Sequence, residues 1–160
     1  MKLFATVSAL PETARREIGD VLNARLIDGL DLHSHLKLAH WNVKGPCFAT
    51  LHELFESIAA DLAAKNDTIA ERAVALGTLA VGTARQTAAL STLPEYPVET
   101  TRDLDHVRAL RDRIAHYVKN VQQAKTLADK HGDDQTVDLL TEIRADFEKH
   151  GWMLNATLEQ

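Results

Sequence analysis

His40-Trp41-Asn42-Val43-Lys44-Gly45-Pro46, then Phe48, Leu51-His52-Glu53, Glu56, Asp67 and Ala70-Glu71-Arg72, is the stretch on which the reading of this chain turns. One histidine closes a helix, a Gly-Pro turn follows, and a second helix carries His, Glu, Asp and Glu. Imidazole and carboxylate suit iron, zinc or manganese, and no thiolate is present among them to draw a softer metal. At about 100° per residue, His52, Glu56, Asp67 and Glu71 share one stripe of the second helix. His52 and Glu56 are i,i+4 neighbours, as are Asp67 and Glu71. The two pairs lie roughly 22 Å apart along the axis, however, at about 1.5 Å per residue. No single ion bridges that distance. A second copy of the helix, antiparallel about a two-fold axis near Leu62, would place His52 and Glu56 of one chain beside Asp67 and Glu71 of the other, and would do so twice. The alternative is a solvated charged face. His40, delivered by the turn to the same end of the helix as His52, favours the metal.

The helical pattern extends both ways from this stretch. Pro11 suits a first helical position with Glu12 in the first turn. A helix then runs to about Asn42, its apolar stripe marked by Leu22, Leu26, Leu30 and Leu36. Thr50-Leu51-His52-Glu53 has the form of a capping box. The second helix runs to about Leu76, where Gly77 can end it in the left-handed conformation. Residues 77–100 form a long connection with a short helix expected at Thr83–Leu90 and an extended stretch around Pro94 and Pro97. Two more helices follow, at about Thr101–Lys130 and Asp134–Leu158, separated by Gly132. Residues 1–9 read as a short tail and 10–160 as one domain. The expected fold is therefore all-α: a four-helix bundle of the ferritin-like kind, whose long crossover joins the second and third bundle helices. The usual in-bundle iron site needs Glu-x-x-His on two helices. The chain has none; Asp103-x-x-His106 is the nearest approach.

Net charge is −5. That argues against a protein that binds nucleic acid through bulk charge, and favours attraction of cations. Cys47 stands alone, so no intrachain disulfide forms. No apolar run is long enough to span a bilayer. The first residues carry too little charge and too short an apolar run for a signal peptide, so a cytoplasmic protein is expected.

The pattern His40-Trp41-Asn42-Val43-x-Gly45-x-x-Phe48-x-x-Leu51-His52, followed by Asp67-x-x-Ala70-Glu71-Arg72 and Leu76-Gly77, resembles the Dps proteins, the miniferritins. So do Gly132-Asp133-Asp134-x-Thr136-x-Asp138 and Glu148-Lys149-His150-x-Trp152-Met153-Leu154. The match weakens over 1–20 and 80–100. Glu56 stands where many members have Asp, and Thr78 where many have Gly.

The resemblance implies a hollow dodecamer that oxidises Fe(II), with hydrogen peroxide as the expected oxidant, and stores the Fe(III) as mineral. His40 and His52 of one subunit and Asp67 and Glu71 of its partner would form the di-iron ferroxidase centre, with Glu56 as a further ligand or as a base beside the ligands, and with Zn as a possible competing ion. Asp129, Asp134 and Asp138 match acidic pore positions through which iron is taken up; Asp133 or Asp134 could instead cap the fourth helix. Trp41 beside the centre is either a radical quencher or interface packing. Trp152 is expected in the core or an interface, and Cys47 as a small filler. His33 shares the face of His40 and could extend the centre, though a surface or hydrogen-bonded role is expected for it and for His35. His106, His116, His131 and His150 show no convergent pattern. DNA binding, the family's other activity, normally rides on a basic tail. Here the tail offers Lys2 alone, so a nucleoid-binding role is the weaker alternative.

Overall fold

The structure, a computed structural model, describes residues 3–159. Lys2 lies outside them. Five helices occur among the described residues: α1 Glu12–Asn42, α2 Phe48–Ala75, α3 Ala84–Leu90, α4 Asp103–Lys130 and α5 Asp134–Leu158. Helix α1 packs mainly on α2 and α4 mainly on α5; α1 also meets α4, and α3 lies against α1. The bundle is ferritin-like, with α3 inside the crossover. Its core is built from the expected stripes: Leu22, Leu36, Phe55, Leu62, Leu110, Ile114, Ile143 and Phe147 are fully buried or nearly so. Packing of these amphipathic faces supplies most of the stability of such helices.

Helix ends follow local chemistry in some places and tertiary chemistry in others. Gly77, at φ 85°, ends α2. Its N–H donates to the Val74 carbonyl at 2.8 Å and that of Thr78 to the Ala73 carbonyl at 3.2 Å, which is a Schellman closure. Gly132 ends α4 in the same way. Thr83 and Gln86 form a reciprocal capping box at α3.

The capping box expected at Thr50 and Glu53 does not form, because α2 begins at Phe48 and Thr50 already lies inside it. Gly45, at φ 140°, turns the chain sharply, and an added Cβ there would meet Asp103 Oδ2 at 2.4 Å. That close approach lets Asp103 accept the Cys47 N–H at 3.0 Å. The cap of α2 thus comes from the start of α4. This Cys47 N–H holds the Asp103 carboxyl below its ordinary range, against the opposing effect of burial. Pro11 flanks α1 rather than opening it, with ψ 149°. Cys47 is exposed and fills no core space.

The N-terminal segment is docked along the end of α2. The Phe4 N–H donates to the Gly77 carbonyl at 2.7 Å, and the Thr6 hydroxyl to the Ala75 carbonyl at 2.6 Å. Arg15 adds a bond to the Leu76 carbonyl at 3.1 Å. Three carbonyls left open by the end of α2 are thereby satisfied.

Candidate metal centre

Two helix ends create the candidate site. The end of α1 presents His40 and the first turns of α2 present His52. The intervening turn is held by the Lys44 N–H on the Thr101 carbonyl, 2.8 Å, and the Asp103 N–H on the Lys44 carbonyl, 2.9 Å. The two imidazoles stack with centroids 3.7 Å apart and planes 22° from parallel. Their hydrogen bonds cross: His40 Nδ1 meets the His52 carbonyl at 2.8 Å, and His52 Nδ1 meets the His40 carbonyl at 2.9 Å. A carbonyl can only accept, so both Nδ1 atoms carry the proton. In the neutral rings both Nε2 atoms then keep a free lone pair. A backbone carbonyl on one ring nitrogen is the usual support for a histidine that ligates metal through the other.

Glu56 joins them. Its Oε2 lies 3.5 Å from His40 Nε2, and Lys37 Nζ donates to the same oxygen. Lys37 holds the Glu56 carboxyl below its ordinary range, chiefly by that hydrogen bond. Lys37 was not picked out from the sequence. It lies three residues before His40, on the same helix face, and that spacing was the available signal. Phe48 leans over His52, with ring centroids 5.2 Å apart.

Asp67 and Glu71 lie elsewhere on α2. Both are exposed, and neither makes a hydrogen bond or ion pair among the described residues. Within one chain the donors therefore fall into two groups: His40, His52 and Glu56 together, Asp67 and Glu71 apart. No three His, Cys, Asp or Glu side chains among the described residues close into a metal cage within one chain.

The remaining histidines separate by face. His33 is half-buried near Lys37 and Glu56; burial lowers its pKa first, and Lys37 adds to that. His35 points to the other side of α1, with its ring 5.1 Å from Tyr96. His131 pairs with Glu17 at 2.9 Å and His150 with Asp61 at 2.8 Å. His116 meets the Thr92 hydroxyl at 3.2 Å. Trp41 is 68% exposed and Trp152 64%, so neither is part of the chain's own core.

At the α4–α5 corner, Asp133 rather than Asp134 caps α5, accepting from the Thr136 N–H at 3.3 Å. Arg72 also reaches Asp133, at 2.6 Å. Burial alone would raise the Asp133 pKa, but the bonds from Arg72 and Thr136 outweigh it and hold the carboxyl low. With Asp133 occupied, Asp129, Asp134 and Asp138 remain exposed. Arg72 follows Glu71 directly, so this tie links the acidic end of α2 to the start of α5.

Comparison with known proteins agrees with this architecture. The ferritin-like domain model matches residues 19–160. The DNA protection during starvation protein of Agrobacterium fabrum is 34% identical over 160 residues, covering 100% of this chain and 99% of that protein. The chain belongs to the Dps family. Among solved Dps structures, DpsA14 from Streptomyces coelicolor superposes with a TM-score of 0.94 at 32% identity, covering 100% of this chain and 96% of that one. A Dps protein from Vibrio cholerae, described as a member of a broad superfamily of ferritin-like diiron-carboxylate proteins, gives 0.92 at 26% identity, covering 99% and 100%. Among the described residues, no helix of this Dps chain is long and apolar enough to cross a membrane.

Proposed function

We propose that this Dps protein oxidises Fe(II) with hydrogen peroxide at centres shared by two copies of the chain, and stores the Fe(III) inside a dodecameric, cytoplasmic cage. The crossed imidazole–carbonyl bonds carry the reading. They fix the tautomer of His40 and His52 and leave a lone pair on each Nε2, that of His40 beside Glu56. Asp67 and Glu71, without partners among the described residues of their own chain, supply the remaining donors to a second copy across the two-fold axis. Iron is the substrate. Two Fe(II) ions give two electrons to one peroxide, with two protons, yielding two Fe(III) and two waters. Carboxylates favour Fe(III) because they are hard and anionic, and imidazole accommodates Fe(II). Lys37 shares Glu56 with the centre and holds it ionised, the form that ligates a metal. Zn(II) takes the same donors and competes without being oxidised.

The proposal is tested by size-exclusion chromatography followed by Fe(II)–peroxide stopped flow. A dodecamer that oxidises Fe(II) quickly supports it. A monomer, or an assembly with no rate above buffer, contradicts it.

Asp129, Asp134 and Asp138 are the uptake residues in this reading, because rings of carboxylates around an axis focus cations. Asp138→Asn is expected to slow iron uptake several-fold, while peroxide oxidation of iron already inside proceeds at the wild-type rate. Equal slowing of both would remove the pore role.

The name of the Agrobacterium relative raises direct DNA binding as a second reading. The net charge of −5 and the docking of residues 4 and 6 on α2 oppose it. A phosphate-binding tail must be basic and free to reach the duplex. Mobility-shift gels at low salt are expected to show no retarded DNA. A shift that weakens as salt rises would reinstate the DNA-binding role.

A further inference from the structure

Two tyrosines occur in the chain, and their hydroxyls meet opposite surroundings. Tyr117 is fully buried, and its hydroxyl has no hydrogen-bond partner among the described residues. Tyr96 is 3% exposed, and its Oη lies 2.8 Å from Nδ1 of His106, itself 1% exposed. The backbone of Thr100 and Asn42 beside the imidazole favours a proton on that ring. Nδ1 is the nitrogen that meets the phenol, and Nε2 has no hydrogen-bond partner among the described residues. The arrangement that satisfies the phenol has Tyr96 donating to an unprotonated Nδ1. Desolvation is the largest influence on the His106 pKa and lowers it, which favours a bare Nδ1 facing the phenol. Burial also raises the Tyr96 pKa, so the phenol holds its proton until something removes it.

The pair backs onto the metal centre. The His106 ring meets Phe55 edge-on, with centroids 6.4 Å apart, and Phe55 follows His52 by three residues on α2. Asn42, whose backbone neighbours His106, follows His40 by two. The Arg113 guanidinium lies over the Tyr96 ring, 4.9 Å from its centroid. That cation opposes any positive charge on the ring.

These facts decide how each tyrosine responds to a one-electron oxidant. Losing an electron alone leaves a phenol cation, which is costly in an apolar interior and more so beside Arg113. Losing the electron while the proton passes to a hydrogen-bonded base leaves a neutral phenoxyl and moves the positive charge onto the base, which holds that proton far more firmly than a phenol cation does, and this needs an acceptor within hydrogen-bond reach. Tyr96 has one and Tyr117 does not.

We propose that Tyr96 and His106 form a redox pair that consumes one-electron oxidants arising from iron and peroxide. Only the source of the oxidant rests on the function proposed above. A hydroxyl radical, formed when a single Fe(II) reduces peroxide, takes one electron from Tyr96 and becomes hydroxide. The Tyr96 O–H bond breaks and its proton bonds to His106 Nδ1, leaving a phenoxyl radical and an imidazolium. A further Fe(II) returns the electron, becoming Fe(III), while His106 returns the proton.

The test uses the full assembled protein and two sources of oxidant. In the iron-free arm, azide radicals from pulse radiolysis oxidise the protein, and phenoxyl absorbance is followed in H2O and D2O. In the iron arm, samples frozen after mixing with Fe(II) and peroxide are read by electron paramagnetic resonance. Wild type and Tyr117→Phe are expected to give the phenoxyl in both arms, with slower formation in D2O. Tyr96→Phe, checked for assembly by size exclusion, is expected to lose it in both. A phenoxyl surviving in Tyr96→Phe, its loss in Tyr117→Phe, or equal rates in the two solvents would overturn the pair. A phenoxyl in the iron-free arm alone upholds the pair and counts against the iron reading.

Discussion

His52→Ala is expected to slow peroxide-driven Fe(II) oxidation by about 100-fold or more, since loss of even an outer-shell partner of a metal site typically costs 10–100-fold. The substitution removes one Nε2 donor. It also removes the Nδ1–H that bonds the His40 carbonyl, and the ring on which His40 stacks. His40 then keeps its own bond to the backbone carbonyl of residue 52, so the second imidazole remains placed while the first is gone. Helix α2 should be unaffected, because alanine is a better helix former than histidine. Assembly and thermal unfolding should therefore stay near wild type while the rate collapses. Stopped-flow absorbance of Fe(III) formation reads the rate. A wild-type rate in this variant would take His52 out of the centre.

Asp28→Ala is expected to have the largest effect on stability. Asp28 is fully buried and accepts from Arg25 Nη2 at 2.9 Å, Asn120 Nδ2 at 3.0 Å, and both the N–H and the hydroxyl of Thr92. One carboxylate thus ties α1 to α4 and to the crossover that follows α3. Arg25 is itself buried, and its other guanidinium nitrogen donates to the Asn120 carbonyl at 3.0 Å. Removing Asp28 strands a buried cation, and breaking a buried pair from one side costs about 3–5 kcal/mol. The urea midpoint should fall accordingly. Arg25→Met combined with Asp28→Leu should recover part of the loss, because no lone charge is then buried. An unchanged midpoint for Asp28→Ala would mean that the network is not formed in solution.

What the sequence disclosed depended on how far apart the interacting residues lie. The four bundle helices follow from apolar spacing within each segment, and Gly77 and Gly132 end their helices by their own backbone freedom. His40 and His52 could be placed together because a short turn joins their helices. The cap of α2 could not, because its acceptor, Asp103, is 56 residues from Cys47, and the nearer signal at Thr50 lost to it. The Arg25–Asp28 pair escaped notice because, at i,i+3, it looks like an ordinary surface ion pair until the crossover covers it. Trp152 occupies a position on α5 that its aromatic character suggested was covered, yet its own chain leaves it exposed. Asp67 and Glu71 show the opposite limit. In the proposed centre their spacing from His52 refers to a second chain, which the fold of one chain does not hold.

Subunit mixing tests that division of labour most directly. His52→Ala and Asp67→Ala chains, each inactive alone, are unfolded together in equal amounts and reassembled. If each centre takes its histidines from one chain and Asp67 from another, a mixed pair has one fully native centre and one doubly deficient centre. Random pairing about a two-fold axis then restores about one quarter of the wild-type centres, and with them about one quarter of the Fe(II) oxidation rate. Reassembly that restores no activity would contradict the shared centre.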